Sequence, residues 1–130
     1  MAERLRQNNP RLPADKALWL AGHWAQPDGQ GLWRVLGDPA HKVISPYLFR
    51  LEETLAAYRA ITVPVLAAHA LDEKGRDSLG LLWRGQYTLA EYLERMRSVP
   101  DCRMEAVQGA GHMLHHDQPQ AVARLMESFL

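Results

Sequence analysis

The chain has 130 residues, and its 15 Lys and Arg residues balance its 15 Asp and Glu residues, so the formal net charge is zero. This length allows one domain or two very small ones, and the neutral charge argues against nucleic-acid binding. The single cysteine excludes an internal disulfide and indicates a reducing compartment. No apolar run approaches the roughly 18 residues of a membrane helix, and the N-terminus lacks the apolar stretch of a secretory signal. We therefore expect a soluble, cytoplasmic protein without a nucleic-acid or membrane partner.

The chain up to residue 60 is predicted to form helices and loops. A helix begins near Asp15 and ends at the turn-forming residues 26–29. The next segment, residues 29–39, has the composition of a loop but carries large apolar side chains, so part of it is expected to be packed. The helix residues that recur at helical spacing, and are therefore expected to face the core, are Leu18, Ala21 and Trp24.

A second helix is predicted to begin at Ser45, because Ser is a favoured N-cap and Pro46 suits the first helical position. Glu52 and Glu53 fall on or near the side that faces solvent. The predicted buried stripe of this helix consists of Leu48, Leu51, Leu55 and Tyr58.

From Ile61 onward, strand and helix patterns alternate. Residues 63–69 form a short apolar run, which is typical of a strand buried on both faces in a parallel sheet. After a long loop, a capping box at 88–91 opens an amphipathic helix, and residues 102–107 alternate as a second strand does. A final helix is predicted to open at residues 117–120. This order predicts two parallel strands joined by a right-handed crossover. Two strands alone do not make a stable sheet, so we expect part of the fold to lie outside this chain.

The densest group of polar residues lies between Gly109 and Pro119, immediately after the second predicted strand. Active sites of α/β folds lie at this end of the sheet. The Gly-x-Gly sequence at 109–111 permits a sharp turn that presents His112. Imidazole is the side chain best suited to general acid–base catalysis near neutral pH, which makes His112 the first candidate catalytic residue.

This segment resembles the histidine loop of the α/β-hydrolase-fold enzymes. In that family the last core strand leads to Gly-x-Gly-His, and an acidic residue, x and Pro then open the C-terminal helix. Residues 109–112, followed by Asp117 and Pro119, match this pattern, with Asp where Glu is commoner. Residues 61–66 are similar to the family's entry into the preceding strand, and residues 13–60 resemble the helical cap inserted before that strand.

The resemblance implies the fold class α/β, as an incomplete α/β-hydrolase fold with a helical cap and a C-terminal β-α-β-α segment. It implies two parts. Residues 1–60 would form the cap, and residues 61–130 would form the C-terminal part of the hydrolase core.

In the family, an acidic residue that orients the histidine often follows the strand before the histidine loop. The matching position here is Asp72, with Glu73 as the alternative, and Ala70 stands where the family usually has Gly. We favour Asp72, because its short side chain suits a tight turn. In other members the acid follows an earlier strand, in which case Asp72 is only a turn residue.

The family also needs a nucleophile at a Gly-x-Ser-x-Gly elbow, or an Asp or Cys at the same position. The four serines are Ser45, Ser78, Ser98 and Ser128, and none has this pair of glycines. Cys102 begins a predicted strand and has no predicted electropositive setting that would activate its thiol. The nucleophile and the oxyanion hole are therefore expected outside this chain.

Three residues are expected to contact substrate: Trp33, Trp83 and His115. Cap domains supply apolar pocket walls, whereas Trp19 and Trp24 are predicted to belong to the core of the cap. The histidines at 112, 115 and 116, together with His69, match no strong pattern for zinc. We therefore expect no metal and no cofactor.

In the complete enzyme, the resemblance implies hydrolysis of a small, ester-like substrate with His112 as the base. Dehalogenases and epoxide hydrolases use the same histidine with an Asp nucleophile. This chain alone is expected to be inactive, and its expected partner is the N-terminal part of a hydrolase. The alternative is a non-catalytic remnant that binds itself or another protein. A third hypothesis is a small α+β protein that binds an apolar ligand through the tryptophan-rich region.

Overall fold

The computed structural model describes residues 1–78 and 84–130. Its contacts divide the chain into two compact units, Met1–Leu48 and Phe49–Leu130. The assignment of residues 1–60 to a cap stays a prediction. Trp83, one of the predicted substrate contacts, lies outside the described residues. Within the described ranges, no helix is long and apolar enough to cross a membrane.

The first unit consists of short helices and one small hairpin. In chain order, its elements are α1 (Ala2–Asn8), α2 (Ala14–Trp24), β1 (Ala25–Pro27), β2 (Trp33–Val35) and a 3₁₀ helix (Pro39–Lys42). Strands β1 and β2 pair antiparallel. The sequence predicted α2 with nearly correct ends, but it did not predict α1, which has no apolar periodicity strong enough to mark it.

The buried face of α2 differs from the predicted one. Ala17 and Leu20 are buried together with Leu12, and α1 packs against this cluster through its own apolar side chains. Leu18 is instead 69% exposed. The prediction of Leu18, Trp19 and Trp24 as core residues was wrong, because all three are exposed. The position of α1 decides which side of the amphipathic helix is covered. Ala21 is buried as predicted.

The expected packing of residues 29–39 was also wrong. Their large apolar side chains lie on a hairpin whose strand β2 is exposed along its whole length. The exposed residues are Leu32, Trp33, Val35 and Leu36.

The second predicted helix begins later than expected. Helix α3 spans Leu51–Arg59, and it begins after Arg50 rather than at Ser45. The Ser45 hydroxyl accepts a hydrogen bond from the Tyr47 N–H in a local turn that does not continue as a helix. Leu48, predicted to be buried, is 83% exposed, whereas Leu51, Leu55 and Tyr58 are half-buried as expected.

The second unit is built on a parallel pair of strands. Strand β3 is Val65–Ala70, and β4 is Cys102–Val107. Val65 lies opposite Cys102, and Ala70 lies opposite Val107. This confirms the two predicted parallel strands. Among its described residues, the unit also contains α4 (Leu89–Met96), α5 (Leu114–Asp117) and α6 (Pro119–Glu127).

Apolar side chains cover both faces of this two-stranded sheet. On one face, Ala67 packs with Met96 of α4 and with Val99, and Tyr58 of α3 borders this cluster. On the other face, a second cluster forms around Ala70, Val107 and Ala110, and side chains of α6 pack against it. Helices on both faces explain why residues 63–69 form a continuous apolar run rather than an alternating one.

Helix α4 begins as its sequence predicts. The Glu91 N–H donates to Thr88 Oγ1, and the Thr88 N–H donates to Glu91 Oε2, which forms a complete capping box. The first turn of α4 has one more acceptor, which lies 12 residues earlier in the chain: Asp77 Oδ2 accepts a hydrogen bond of 2.7 Å from the Leu89 N–H.

Candidate active site

The loop that carries His112 follows β4. Side chains at the end of α5 and just after it form hydrogen bonds with the backbone of this loop. Gly109 has φ +65°, a conformation that favours glycine, and an added Cβ would lie 3.1 Å from Gln118 Nε2. Gln118 Nε2 donates to the Gly109 carbonyl at 3.2 Å, and Asp117 Oδ2 accepts from the Gly111 N–H at 2.7 Å. Hydrogen bonds with residues 117 and 118 therefore fix the backbone of residues 109–111. His112, the next residue, is exposed.

The loop after β3 is joined directly to this histidine loop. The Leu71 N–H donates to the Val107 carbonyl, and the Ala110 N–H donates to the Leu71 carbonyl, both at 2.9 Å. The buried hydroxyl of Ser78 donates to the Ala110 carbonyl at 2.8 Å. The carboxyl ends of two parallel strands thus bring residues 71–78 and His112 into one region. Sequence reasoning did not single out Ser78 as an anchor, because its partner is 32 residues away in the chain.

Asp72 is a buried residue that shapes the turn after β3. Its Oδ1 accepts from the N–H groups of Lys74 and Arg76 at 2.9 and 2.8 Å. Its Oδ2 accepts from Arg76 Nε at 2.7 Å and pairs with Arg76 Nη2 at 2.6 Å. The hydrogen bonds from the Arg76 backbone and guanidinium lower the pKa of Asp72 to about 2 from its usual 3.8.

The structure shows Asp72 forming this turn, and within the described residues no hydrogen bond joins it to His112. Glu73 is exposed on the same turn. The role of Asp72, or of Glu73, as the acid that orients His112 therefore stays a prediction.

Asp72 gives a testable pH dependence. Because its pKa is lower in the folded chain, Asp72 stabilises the fold above about pH 4, and this contribution is lost as the pH falls towards about 2. We expect Asp72→Asn to reduce the stability of the fold at neutral pH and to flatten its decline between these two pH values. Urea unfolding midpoints measured across this range check the prediction. Asp28→Asn is the control, because Asp28 Oδ1 also accepts two backbone N–H groups in a turn. If the two variants changed the pH dependence of the unfolding midpoint equally, the prediction for Asp72 would be contradicted.

The other predicted substrate contacts that the structure describes belong to different units of the chain. Trp33 is 62% exposed on β2 in the first unit. His115 is exposed on α5, and its ring contacts that of His116 at 4.3 Å between centroids. Burial, and secondarily the neighbouring His115, lower the pKa of His116. His115 thus lies close to His112 along the chain, and the contacts of Trp33 and His115 with substrate stay predictions.

Ser78, Ser128 and the cysteine are placed as structural residues. The hydroxyls of Ser78 and Ser128 donate to backbone carbonyls. Cys102 is half-buried, and burial raises the pKa of its thiol, so little reactive thiolate forms at neutral pH. The expectation that the nucleophile lies outside this chain stays a prediction.

No predicted site residue lines the open groove of about 310 Å³ beside β4. Its walls are Ala106, Val107, Gln108, Ala121, Arg124 and Leu125. Within residues 1–78 and 84–130, no three His, Cys, Asp or Glu side chains are close enough to hold a metal ion.

Comparison with known proteins identifies the fold to which this site belongs. The sequence profile of the Alpha/beta hydrolase family matches residues 1–125. The chain belongs to the α/β-hydrolase family. It is also similar to a solved structure, the crystal structure of E-2-(acetamidomethylene)succinate hydrolase, with a TM-score of 0.69 and 23% sequence identity. That match covers 98% of this chain and 43% of the hydrolase chain. The search of curated proteins gave no significant match.

These matches confirm the predicted resemblance and the incomplete α/β-hydrolase fold. The likeness to the solved hydrolase shows the fold, and this chain spans less than half of that hydrolase's length.

Proposed function

We propose that this chain supplies the catalytic histidine and the last two core strands of a cytoplasmic α/β hydrolase that acts on small esters. The observation that carries the proposal is the joining of the two loops at the carboxyl ends of β3 and β4. Hydrogen bonds through Ala110 hold the acid-bearing loop against the loop that presents His112. An acid and a histidine on adjoining loops suit the family's order of nucleophile, acid and histidine along the chain.

In the proposed reaction, the nucleophile comes from the part of the fold that this chain does not span. Its oxygen or sulfur attacks the ester carbonyl while His112 takes its proton. His112 then gives a proton to the departing alcohol. It next removes a proton from water, which attacks the acyl group. The acid product leaves, and His112 returns that proton to the nucleophile. Asp72, or alternatively Glu73, would orient the His112 ring through Nδ1.

Residues 1–60 would act as the cap of this enzyme. Trp33, Trp83 and His115 would contact the substrate, and an apolar cap would exclude water from the reacting ester. The exposure of Trp33 supports this role, because a large apolar side chain at the surface is available for contact with a ligand.

The test begins with the DNA upstream of the codon for Met1. We expect it to encode, in frame or one frameshift away, a strand followed by Gly-x-Ser-x-Gly or by the same elbow with Asp or Cys. The protein that joins that segment to this chain is expected to hydrolyse p-nitrophenyl acetate if the elbow holds Ser or Cys. The 130-residue chain alone is expected to show no hydrolysis that depends on His112. Hydrolysis by the chain alone that His112→Ala abolishes would overturn the proposal.

A second candidate function is a non-catalytic module that associates with itself. The observation that favours it is the exposed apolar segment at residues 43–49. Its exposed members are Val43, Ile44, Tyr47, Leu48 and Phe49. Exposed apolar side chains of this number are typical of an interaction surface. Sedimentation velocity separates the candidates: a stable oligomer that Ile44→Asp dissociates, together with no hydrolase segment upstream, supports the module.

A further inference from the structure

Two buried polar atoms in and just after β3 lack hydrogen-bond partners among the described residues. His69 is half-buried, and its Nδ1 is buried without a hydrogen-bond partner among the described residues. Asp77 Oδ1, in the loop that follows β3, is also buried without a hydrogen-bond partner among the described residues. Buried polar atoms are nearly always hydrogen-bonded, so an unpartnered pair needs an explanation. Neither residue takes part in the proposed reaction of His112.

The two groups lie close to each other. His69 and Asp77 both lie against the beginning of α4: the His69 ring is 6.4 Å from the Tyr92 ring between centroids, and Asp77 Oδ2 accepts from the N–H of Leu89, three residues earlier in the helix. The negative charge of Asp77 accordingly acts in the direction that raises the pKa of His69. Asp77 is held in place, because its Oδ2 accepts from the Leu89 N–H at 2.7 Å and its backbone bridges to Leu71. Oδ2 is therefore used to fix the start of α4, and Oδ1 remains for a second partner.

Other groups around His69 do not supply that partner. Glu105, on the neighbouring strand β4, also acts to raise the pKa of His69. It lies opposite Ala68 rather than His69, so its side chain is on the other face of the sheet. The ring of Tyr92 on α4 lies 6.4 Å from the His69 ring between centroids. This leaves Asp77 as the acceptor whose free oxygen matches the buried nitrogen.

We propose that His69 and Asp77 form an Asp–His couple. In this couple Nδ1–H donates to Asp77 Oδ1 through one buried water, since neither atom has a direct hydrogen-bond partner among the described residues. This bond fixes the tautomer in which Nε2 carries no proton. Because His69 is only half-buried, its ring keeps an accessible edge near the carboxyl end of β3. The couple therefore provides a proton acceptor separate from His112, suited to a ligand or partner group with an O–H or N–H donor.

The protonation state of His69 agrees with this role. Burial lowers the pKa of His69, and this effect outweighs the opposing charges of Asp77 and Glu105. The ring is therefore neutral at pH 7, which is the form that accepts a proton.

The experiment is ¹⁵N NMR of the imidazole nitrogens in the full chain, assigned with His69→Gln. At pH 8 we expect His69 Nδ1 to resonate as a protonated nitrogen and Nε2 as an unprotonated one. Asp77→Asn retains one oxygen for the Leu89 N–H but removes the charge that faces His69. We expect this variant to lower the titration midpoint of His69 by about one pH unit. Asp101→Asn is the control, because Asp101 is exposed and precedes the first residue of β4. This variant is expected to leave the titration midpoint of His69 unchanged.

Two results would overturn the couple. One is an unprotonated Nδ1 in the wild-type chain at pH 8, and the other is the same His69 midpoint in Asp77→Asn as in the wild type. The protonation of Nδ1 is measured in the wild-type chain, so the proposal remains testable if Asp77→Asn does not fold. Neither reading depends on esterase activity, so failure of the couple is distinguishable from failure of the proposed function.

Discussion

Replacing His112 by alanine is expected to lower kcat/KM at least about 10³-fold in the hydrolase that contains this chain. Without the imidazole, the nucleophile keeps its proton and the departing alcohol receives none. His112 is exposed at the top of a turn that other residues hold, so its loss is expected to leave folding unchanged. The measurement is steady-state hydrolysis of a p-nitrophenyl ester, with circular dichroism to confirm folding.

His41→Ala is the matched control for this prediction, because His41 is exposed on the 3₁₀ helix of the first unit. A loss of activity in this control equal to that of His112→Ala would contradict the assignment. The same assay compares the two candidate acids. If Asp72 orients His112, Asp72→Asn lowers kcat far more than Glu73→Gln does, and the reverse order selects Glu73.

Replacing Met96 by alanine is expected to lower the free energy of unfolding by about 3 kcal/mol. Met96 is 9% exposed and packs with Ala67 and Val99 on one face of the sheet. The shorter side chain removes these contacts and leaves a cavity between α4 and β3, and neighbouring side chains fill it only in part. Urea unfolding followed by circular dichroism gives the change in free energy.

Met126→Ala is the matched control, since Met126 is 55% exposed on α6 and its truncation removes little buried contact. We expect a change within about 0.5 kcal/mol for this variant. Equal losses in the two methionine variants would show that Met96 is not part of the core that holds the sheet.

The order of elements in the second unit was largely predictable from the sequence. The run at residues 63–69 overlaps β3, the alternation at 102–107 coincides with β4, and the capping box at 88–91 opens α4. These signals are local, because a strand's apolar pattern and a helix cap depend on residues a few positions apart. The segment around His112 was also predictable as a turn, since Gly109 requires a conformation that glycine adopts readily.

The errors arose where a distant neighbour decides the outcome. Leu18 was predicted to be buried, but α1 covers the other side of α2, and nothing in the sequence of α2 specifies where α1 packs. Ser45 has the features of a helix N-cap, yet its hydroxyl forms only a local turn, and the helix begins after Arg50. A capping residue stabilises a helix only where the following residues find a surface to pack against.

The candidate site shows the same division between sequence and structure. By itself, the sequence showed that residues 109–119 resemble the histidine loop of the α/β hydrolases and that the chain contains no Gly-x-Ser-x-Gly motif. Only the tertiary structure showed that Ser78 anchors the histidine loop and that Asp72 is bound by Arg76. It alone placed Asp77 and His69 against the same helix, α4. The physical reason is that residue type and short-range spacing fix the chemistry that is available. Hydrogen-bond partners and burial depend on chain segments that only folding brings together.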